Sequence, residues 1–300
     1  MGKILIPFMA LLLLGCNPSP PPEEPAPEED EAEPAAADPA AGRLDDVLAG
    51  TSADVQARYK YRNPKATLEF FGIEPGMTVV EVLPGGGWYS QILVPYLGAD
   101  GRLIGANYAQ YMWPKFGFFD EDFIENMKTW TTDWPPTADA WKGDDGATVE
   151  AFEFGAMPES MLEQADAVLV IRALHNLARF EDDGGFLTVA LNDIYRVLKP
   201  GGIVGVVQHE ARPDMPDEWA AGNAGYLKKQ FVIDRMTDVG FELVDQSAIN
   251  ENPNDRPTTD DIVWRLPPGY QTSGDDAEKR AEMDKIGESN RMTLKFRKPE

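Results

Sequence analysis

The chain has 300 residues, of which 43% are hydrophobic, and this composition is ordinary for a folded protein with a sizeable core. Its formal net charge is −24 at pH 7, and its basic residues are scattered. Because such a chain repels phosphate backbones, the composition excludes nucleic acid as a partner and favours cationic or neutral substrates. The composition also differs from that of a fibrous or membrane-embedded protein.

Residues 1–16 have the pattern of an export signal. Lys3 provides a positive charge, and residues 4–14 form an apolar stretch that is too short to span a bilayer. The stretch ends in Leu13-Leu14-Gly15-Cys16, which resembles the lipobox of bacterial lipoproteins. The resemblance implies cleavage before Cys16, a diacylglycerol on its thiol, and a lipid-anchored protein of the cell envelope that faces the periplasm or the cell surface. An uncleaved apolar anchor is the alternative.

Residues 17–42 consist mainly of proline, alanine and acidic residues. They hold eight acidic and no basic side chains, so −24 less these eight charges leaves −16 on the rest of the chain. The segment lacks the apolar area that would offset the entropy of ordering, and we predict a disordered, self-repelling tether. In the polyproline II form its roughly 26 residues would reach on the order of 80 Å. Such a tether would hold the following domain, residues 43–300, away from a membrane.

A pair of helices is predicted to open this domain, over residues 52–61 and 64–71. Ser52 is a good N-cap, and Pro64 suits the first turn of a helix. The first strand follows over residues 79–83, where β-branched side chains predominate.

A glycine turn comes directly after this strand. Gly85, Gly86 and Gly87 precede a helix predicted over residues 88–97, and Glu81 lies near the end of the strand. Glycines let the backbone approach a ligand closely, and a helix start presents unpaired N–H groups to it. Doubly wound sheets hold nucleotide-like cofactors in this way. The alternative is a tight connection that binds nothing.

The remaining predicted strands alternate with helices. Residues 165–171 form the clearest apolar run, as expected of a parallel strand that is covered on both faces. Helices are predicted over residues 185–198 and 226–239. The predicted strands two to seven are residues 101–107, 147–154, 165–171, 203–207, 241–245 and 292–297. This alternation predicts one α/β doubly wound sheet with helices on both faces.

Residues 108–141 are unusually rich in aromatic side chains, among them Tyr111 and Trp113. One interpretation is a helix and a loop that pack on the sheet. The other is an aromatic-walled pocket for a cation or a flat apolar substrate, in which Tyr111 and Trp113 are candidate lining residues. The two interpretations are compatible with each other.

The chain has two histidines, His175 and His209, and each follows the carboxyl end of a predicted strand. One of them is a candidate general base or substrate-orienting group, with Asn176, Glu210 and Arg212 lining the same mouth. Structural histidines held by hydrogen bonds are the alternative. A metal site made of the two histidines and Glu210 is conceivable, but the spacing is not diagnostic and we predict no metal. Cys16 is the only cysteine, which excludes disulfides and cysteine metal sites in the mature monomer.

Three segments together resemble class I S-adenosylmethionine-dependent methyltransferases. They are Val79-Val-Glu-Val-Leu-Pro-Gly-Gly-Gly87, Asp166-Ala-Val-Leu-Val and Arg196-Val-Leu-Lys-Pro-Gly-Gly202, and the last is the most specific. With the C-terminal residues 286–299 included, the chain resembles in particular a bacterial group of exported, methyltransferase-like lipoproteins. The resemblance covers residues 53–299.

The resemblance implies a mostly parallel, seven-stranded sheet of order 3-2-1-4-5-7-6 whose last strand is antiparallel. It also implies that S-adenosylmethionine binds at the carboxyl ends of strands one and two, where open α/β sheets place their ligands. The residues expected to bind this cofactor are Glu81, Leu83, Gly85, Gly86, Gly87, Asn107 and Arg172.

Two positions depart from the family pattern. Leu83, followed by Pro84, replaces the first glycine of the turn and narrows it. Asn107 replaces the acid that binds the ribose, and its amide makes one such hydrogen bond rather than the pair of a carboxylate. A nicotinamide site is a weaker interpretation, because Ser90 occupies the position of the third fingerprint glycine.

These features together predict an enzyme that transfers the methyl group of S-adenosylmethionine to a small-molecule or envelope acceptor. The alternative is a non-catalytic envelope lipoprotein that reuses the fold as a ligand-binding module. Export favours this alternative, because S-adenosylmethionine is made in the cytoplasm. The predicted partners are a small-molecule substrate and, through the lipid on Cys16, a membrane.

Overall fold

The computed structural model describes Gly2 and residues 39–300. The chain separates into two units, Met1–Ala37 and Asp38–Glu300, and the fold reported below belongs to the second. The predicted export signal, the lipidation site Cys16 and most of the predicted tether lie outside the described residues. The first described helix begins at Pro39 and so overlaps the end of the range predicted as tether. None of the helices in the described part of the chain has the length and apolar character that crossing a bilayer requires.

The described residues form one sheet. Its strands are β1 (Thr78–Val82), β2 (Arg102–Asn107), β3 (Thr148–Glu153), β4 (Ala165–Ile171), β5 (Leu198–Ala211), β6 (Leu227–Lys228), β7 (Glu242–Ser247) and β8 (Arg291–Arg297). Their order is β3-β2-β1-β4-β5-β8-β7, and the short β6 pairs with the end of β5. The strands from β3 to β5 run parallel, and β8 is antiparallel to β5 and to β7.

The predicted fold class is confirmed. Without the two-residue β6, the observed strand order is the predicted 3-2-1-4-5-7-6 with its last strand antiparallel. The chain order reverses between β1 and β4, which are neighbours in the sheet. In open α/β sheets the crevice at such a switch point is where ligands bind.

Helices flank the sheet along the described chain. They are α1 (Pro39–Gly50), α2 (Ala53–Gln56), α3 (Tyr59–Arg62), α4 (Pro64–Phe71), α5 (Ser90–Leu97), α6 (Glu121–Met127), α7 (Trp130–Asp139), α8 (Leu174–Arg179), α9 (Glu181–Gly184), α10 (Phe186–Val197), α11 (Lys229–Val239) and α12 (Ala277–Ile286). Short 3-10 turns lie at Gln110–Phe116, Glu159–Met161 and Val263–Arg265.

Apolar layers cover both faces of the sheet. Successive residues of one strand point to opposite faces, and accordingly Val80 and Val168 belong to one buried cluster while Val79 and Leu169 belong to the other. All four side chains are fully buried. The apolar run predicted as a two-sided parallel strand is therefore β4, with the bounds expected from the sequence.

Several parts of the chain differ from the sequence-based expectation. Strand β5 is longer at both ends than the predicted residues 203–207, and β6 lies within the range predicted as a helix over residues 226–239.

The predicted helix over residues 52–61 is broken into α2 and α3, and Asn63, with φ 41°, separates α3 from α4 in a left-handed conformation. Helix α12 was not predicted, because it has no buried residue and therefore no apolar periodicity. Its signal is the cap, since Asp276 accepts hydrogen bonds from the backbone N–H groups of Glu278 and Lys279 at 3.1 Å.

Gly205 in β5 offers a test of the packing on one face of the sheet. A Cβ at this position would lie 2.5 Å from Cδ2 of the buried Phe71 in α4. We expect Gly205→Ala to lower the free energy of unfolding by about 1–3 kcal/mol through overpacking. Urea unfolding in the Phe71→Leu background is the control, because the smaller side chain should reduce this cost. Equal costs in both backgrounds would contradict the assignment to Phe71.

Candidate functional site

The glycine turn follows β1 and has a left-handed backbone at three positions. The φ angles are 54° at Leu83, 56° at Gly85 and 73° at Gly87. The Leu83 N–H donates to the carbonyl of Ala106 at 2.8 Å, and the Gly87 N–H donates to that of Pro84 at 2.9 Å. The first bond fixes the turn against the end of β2.

The tip of the turn is open and its far side is closed. A Cβ on Gly86 would meet nothing within 4 Å, and one on Gly85 only the Leu83 carbonyl at 3.8 Å. A Cβ on Gly87 would lie 2.2 Å from Cη2 of Trp141, so that indole seals the turn there. A ligand can therefore approach the backbone at Gly85 and Gly86, the two exposed positions.

Leu83 occupies a conformation in which glycine is favoured. A left-handed backbone costs a residue with a side chain roughly 1–2 kcal/mol. The partly buried Leu83 side chain packs on the apolar cluster that contains Val80 and Val82. This contact offsets the strain, and it directs the side chain of Leu83 towards the core.

Glu81 joins β1 to the helix after the turn. Its side chain is 4% exposed, and the Ser90 hydroxyl donates to Oε2 at 2.6 Å. Burial raises the pKa of Glu81 to about 7, and the hydrogen bond from Ser90 opposes this shift. Glu81 therefore gains its proton near neutral pH.

Asn107 ends β2, as predicted, and is buried. Its Oδ1 accepts a hydrogen bond from the backbone N–H of Tyr108 at 2.8 Å. The amide oxygen therefore already accepts one hydrogen bond, and the side-chain NH₂ is the group that can donate to a ligand hydroxyl.

Arg172 follows β4 directly, on the strand next to β1, and has a left-handed φ of 57°. Its N–H donates to the carbonyl of Val207 at 2.6 Å, which holds the backbone in place. The side-chain Nε is buried and has no hydrogen-bond partner within the described chain. Burial lowers the pKa of Arg172 to about 10, with Arg291 adding to the effect, so the guanidinium stays charged at neutral pH.

Glu288 lies among four arginines, and we call these five residues the arginine cluster. Its Oε1 is 2.7 Å from Arg58 Nε and 3.4 Å from Arg62 Nε, and its Oε2 is 3.2 Å from Arg291 Nη1. Arg172 is the fourth arginine close enough to lower the pKa of Glu288.

The electrostatics of the cluster are set by burial and by charge. Burial alone would raise the pKa of Glu288, but the arginines, with Arg291 first, hold it below the usual value. Burial lowers the pKa of Arg62 to about 9, and the positive charge of Arg172 adds to the effect. Four guanidinium groups thus act on the Glu288 carboxylate, and Asp255 is a second carboxylate that acts on Arg291.

The two histidines meet at the ends of β4 and β5. Their ring centroids are 5.4 Å apart, and both side chains are buried. The Nδ1 of His175 lies 3.4 Å from Oε1 of Gln208, and the Nδ1 of His209 lies 2.5 Å from the Ser289 hydroxyl. Burial lowers the pKa of His175 to about 4 and takes that of His209 well below its usual value. Both rings are therefore neutral and weakly basic at pH 7.

A cavity of about 240 Å³ lies at this end of the sheet. Arg172 and His209 reach it from β4 and β5, and His175 packs behind it against Trp264, with ring centroids 5.8 Å apart. The lining residues are Arg172, His209, Val263, Trp264, Leu266, Pro267, Pro268, Gly269, Glu288 and Ser289.

The residues predicted to line a substrate pocket do not converge on this cavity. Tyr111 packs against Phe186, and Trp113 is buried among aromatic side chains. Asn176 donates a hydrogen bond to the Tyr108 hydroxyl. Glu210 pairs with Lys229, and Arg212 pairs with Asp214. Glu210 and Arg212 line a separate cleft of about 290 Å³. The aromatic segment over residues 108–141 mainly forms core, as the packing interpretation predicts.

Sequence reasoning missed one wall of the cavity. Residues 263–269 contain a cis peptide bond between Pro267 and Pro268, and they follow no helical or strand period. Glu288 and Ser289 stand just before β8 and give no local signal of their contacts with Arg58 and His209. The ionisable residue types alone could have drawn attention to them.

Within the described residues, no group of three or more histidine, cysteine, aspartate or glutamate side chains lies close enough to hold a metal ion. Glu210 forms its ion pair with Lys229 at 3.2 Å.

The buried carboxyl of Glu81 makes stability depend on pH. Its folded-state pKa, about 7, exceeds the ordinary 4.5, so the folded state binds more protons between these values and stability falls as pH rises through them. We expect Glu81→Gln to remove this loss, gaining on the order of 3 kcal/mol relative to the unmodified chain between pH 4 and pH 8. Urea unfolding at both pH values measures it. The exposed Glu282→Gln variant is the control, and its free energy of unfolding should change with pH as that of the unmodified chain does. An equal change with pH in both variants would contradict the assignment of the effect to Glu81.

Comparison with known proteins adds likenesses in structure. No protein-family model matches the chain, and a search of curated proteins finds no match. A chain from the complex between the Haloferax volcanii Trm112 methyltransferase activator and a methyltransferase is 16% identical, with a TM-score of 0.48, 86% of this chain covered and 98% of that one.

Two further solved structures are similar at the same level. The [4+2]-cyclase SpnF is 16% identical with a TM-score of 0.47, covering 79% of this chain and 80% of that one. A SAM-dependent methyltransferase from Aquifex aeolicus is 13% identical with a TM-score of 0.46, covering 85% and 98%. Likenesses this distant establish no activity, so the function of this chain rests on its own residues.

Proposed function

We propose that this chain binds S-adenosylmethionine at the switch point between β1 and β4 and transfers its methyl group to an acceptor. The observation that carries the proposal is the glycine turn, whose open tip at Gly85 and Gly86 stands at the carboxyl end of β1. The strand order and the three segments that resemble class I methyltransferases support the same cofactor.

The residues at the turn fit this cofactor. The left-handed φ at Gly85 and the empty space above Gly86 let the backbone contact its methionine part. The NH₂ group of Asn107 is available to a ribose hydroxyl. Glu81 stands behind the turn and fixes the start of α5 through Ser90. When bound, S-adenosylmethionine supplies a methyl group on a sulfonium, and the protein supplies alignment, which is worth about 7–11 kcal/mol in well-oriented reactions.

The neutral histidines suit positioning better than proton abstraction. A base works best when its pKa is near the working pH, and burial takes both pKa values far below neutrality. We infer that His209, which lines the cavity and is bonded to Ser289, orients the acceptor. His175 supports it from behind through the contact between the two rings.

Calorimetry on the full chain in mild detergent tests the cofactor directly. We expect S-adenosylmethionine and S-adenosylhomocysteine to bind with one site each. The absence of heat at millimolar cofactor would rule out the methyltransferase proposal.

Gly86→Ala tests where the cofactor lies. The new methyl group meets no protein atom and the backbone is not left-handed there, so stability should change by less than about 0.5 kcal/mol. A ligand seated on the turn would meet that methyl group, and we expect roughly tenfold weaker binding of S-adenosylhomocysteine, about 1.4 kcal/mol. Gly42→Ala, at another open and exposed position, is the matched control. Equal affinities in the two variants would place the cofactor elsewhere.

A second candidate function is a non-catalytic ligand-binding module. The strained Leu83 and the amide of Asn107 in place of an acid favour it, because both depart from the family's cofactor site. Binding of S-adenosylhomocysteine with no consumption of S-adenosylmethionine in an envelope extract would support the module over the enzyme.

We further propose that the chain is exported and anchored through a lipid on Cys16, with residues 17–38, which precede α1, as its tether and the acceptor in the envelope. The apolar stretch, the single cysteine and the acidic, proline-rich segment support this proposal. We expect radiolabelled palmitate to be incorporated into the chain in a bacterial host, and Cys16→Ser to abolish the label. A label that persists in Cys16→Ser would contradict lipidation at this residue, and Ser19→Ala is the matched control.

A further inference from the structure

The cavity at the ends of β4 and β5 is lined by two charged side chains, Arg172 and Glu288, and the other three arginines of the cluster contact Glu288 without lining the cavity. The arginine cluster contains four positive charges and one negative charge, and the histidines beside it are neutral. Buried charges in proteins are normally paired, because burial without a partner is costly. The cluster therefore carries a net charge of about +3 in a setting that favours an anion.

Arg172 is the member of the cluster that lacks a protein partner. Both oxygens of Glu288 are engaged, Oε1 by Arg58 and Arg62 and Oε2 by Arg291. Among residues 39–300 the side chain of Arg172 makes no hydrogen bond or ion pair, and its Nε is buried. Because Arg172 also lines the cavity, its guanidinium is the group placed to receive an anion there.

The other walls of the cavity limit the ligand. His209 and Ser289 offer a hydrogen-bonding edge near the cluster, whereas residues 263–269 are mostly apolar and include the indole of Trp264. The volume of about 240 Å³ is below the roughly 300–1,000 Å³ of pockets for drug-sized ligands. A small ligand with one anionic group and a compact apolar body fits these walls.

We propose that this cavity binds a small organic anion, a carboxylate or a phosphate monoester, through Arg172, and that this anion is the methyl acceptor. The role as acceptor rests on the proposed function, whereas the binding of the anion does not. Arg172 ends β4, the strand that pairs with β1, so the anion would lie next to the strand that carries the glycine turn. Anionic ligands replace the cationic or neutral substrates that the composition favours.

Calorimetry on the full chain in detergent, with four small probes, tests the site. Benzoate and phenyl phosphate represent the two anions, and benzylamine and benzyl alcohol are the cationic and neutral controls of similar size. We expect at least one anion to bind and benzylamine not to bind. The stronger anion identifies whether a carboxylate or a phosphate is preferred. Equal binding of benzylamine, or no binding of either anion, would overturn the proposal.

Variants of Arg172 locate the anion. Arg172→Gln removes a charged hydrogen-bond donor, and we expect roughly 10- to 100-fold weaker binding. Arg172→Lys keeps the positive charge but lacks the planar guanidinium, so its affinity for the anion should lie between those of the unmodified chain and Arg172→Gln. Arg235→Gln, at an exposed arginine paired with Asp238, is the matched control and should bind as the unmodified chain does. An unchanged affinity in Arg172→Gln would overturn the assignment.

A fluorescence measurement covers the case in which Arg172→Gln does not fold. Binding in the cavity should change the emission of Trp264 in the unmodified chain, and Trp264→Phe should remove that change. A change that persists in Trp264→Phe would place the anion outside the cavity.

Titration of the bound anion with S-adenosylhomocysteine separates this inference from the proposed function. Simultaneous binding supports an acceptor site beside the cofactor. Displacement of the anion would assign the cavity to the cofactor and overturn the role as acceptor. If the anion binds and S-adenosylhomocysteine does not, the anion site stands and methyl transfer fails.

Discussion

The buried carboxylate of Glu288 is the contact on which the carboxyl end of the sheet depends. It ties Arg58 and Arg62, at the start of the domain, to the segment that leads into β8. Removal of this one negative charge would leave the arginines facing one another in a medium that screens charge poorly. The same carboxylate engages three arginines and leaves Arg172, the residue that we propose binds an anion, without a hydrogen-bonded side-chain partner in the described part of the chain.

The sheet could be predicted from the sequence because its signals are local. Each buried strand is a short apolar run, and the run at β4 has the predicted bounds. The strand order was predicted from the resemblance, because residue patterns alone do not encode the order of strands in a sheet. Strand β5 begins at Leu198, well before its predicted start, because Leu198 pairs with Ala165 and the pairing with β4 resumes at Ile203 after an irregularity at residues 199–202. The exposed helix α12 was not predicted, because it has no apolar face.

The candidate site could be predicted only in part. The glycine turn and His175 follow the ends of β1 and β4, which the sequence marks, whereas His209 lies within β5, because that strand continues to Ala211 instead of ending at residue 207. The arginine cluster does not, because its members are brought together by the tertiary fold from separate segments of the chain. Burial also changes chemistry that the sequence suggests, since a histidine is a base only where solvent or a counter-charge stabilises its protonated form. The net charge is a sum over the whole chain, so it gave no indication of the buried arginine cluster.

That contrast between an acidic exterior and a basic interior has a kinetic consequence. An anion that approaches this protein first meets the repulsive field of a chain with a formal charge of −24, and it reaches Arg172 only inside the cavity. Dissolved salt screens the long-range field over about 10 Å at 0.1 M, whereas it screens contacts in a buried site much less. Added salt should therefore speed the capture of an anion while it changes the lifetime of the bound state little. At low salt the association of an anion with this protein would then be slow, because the long-range field of the protein repels the anion.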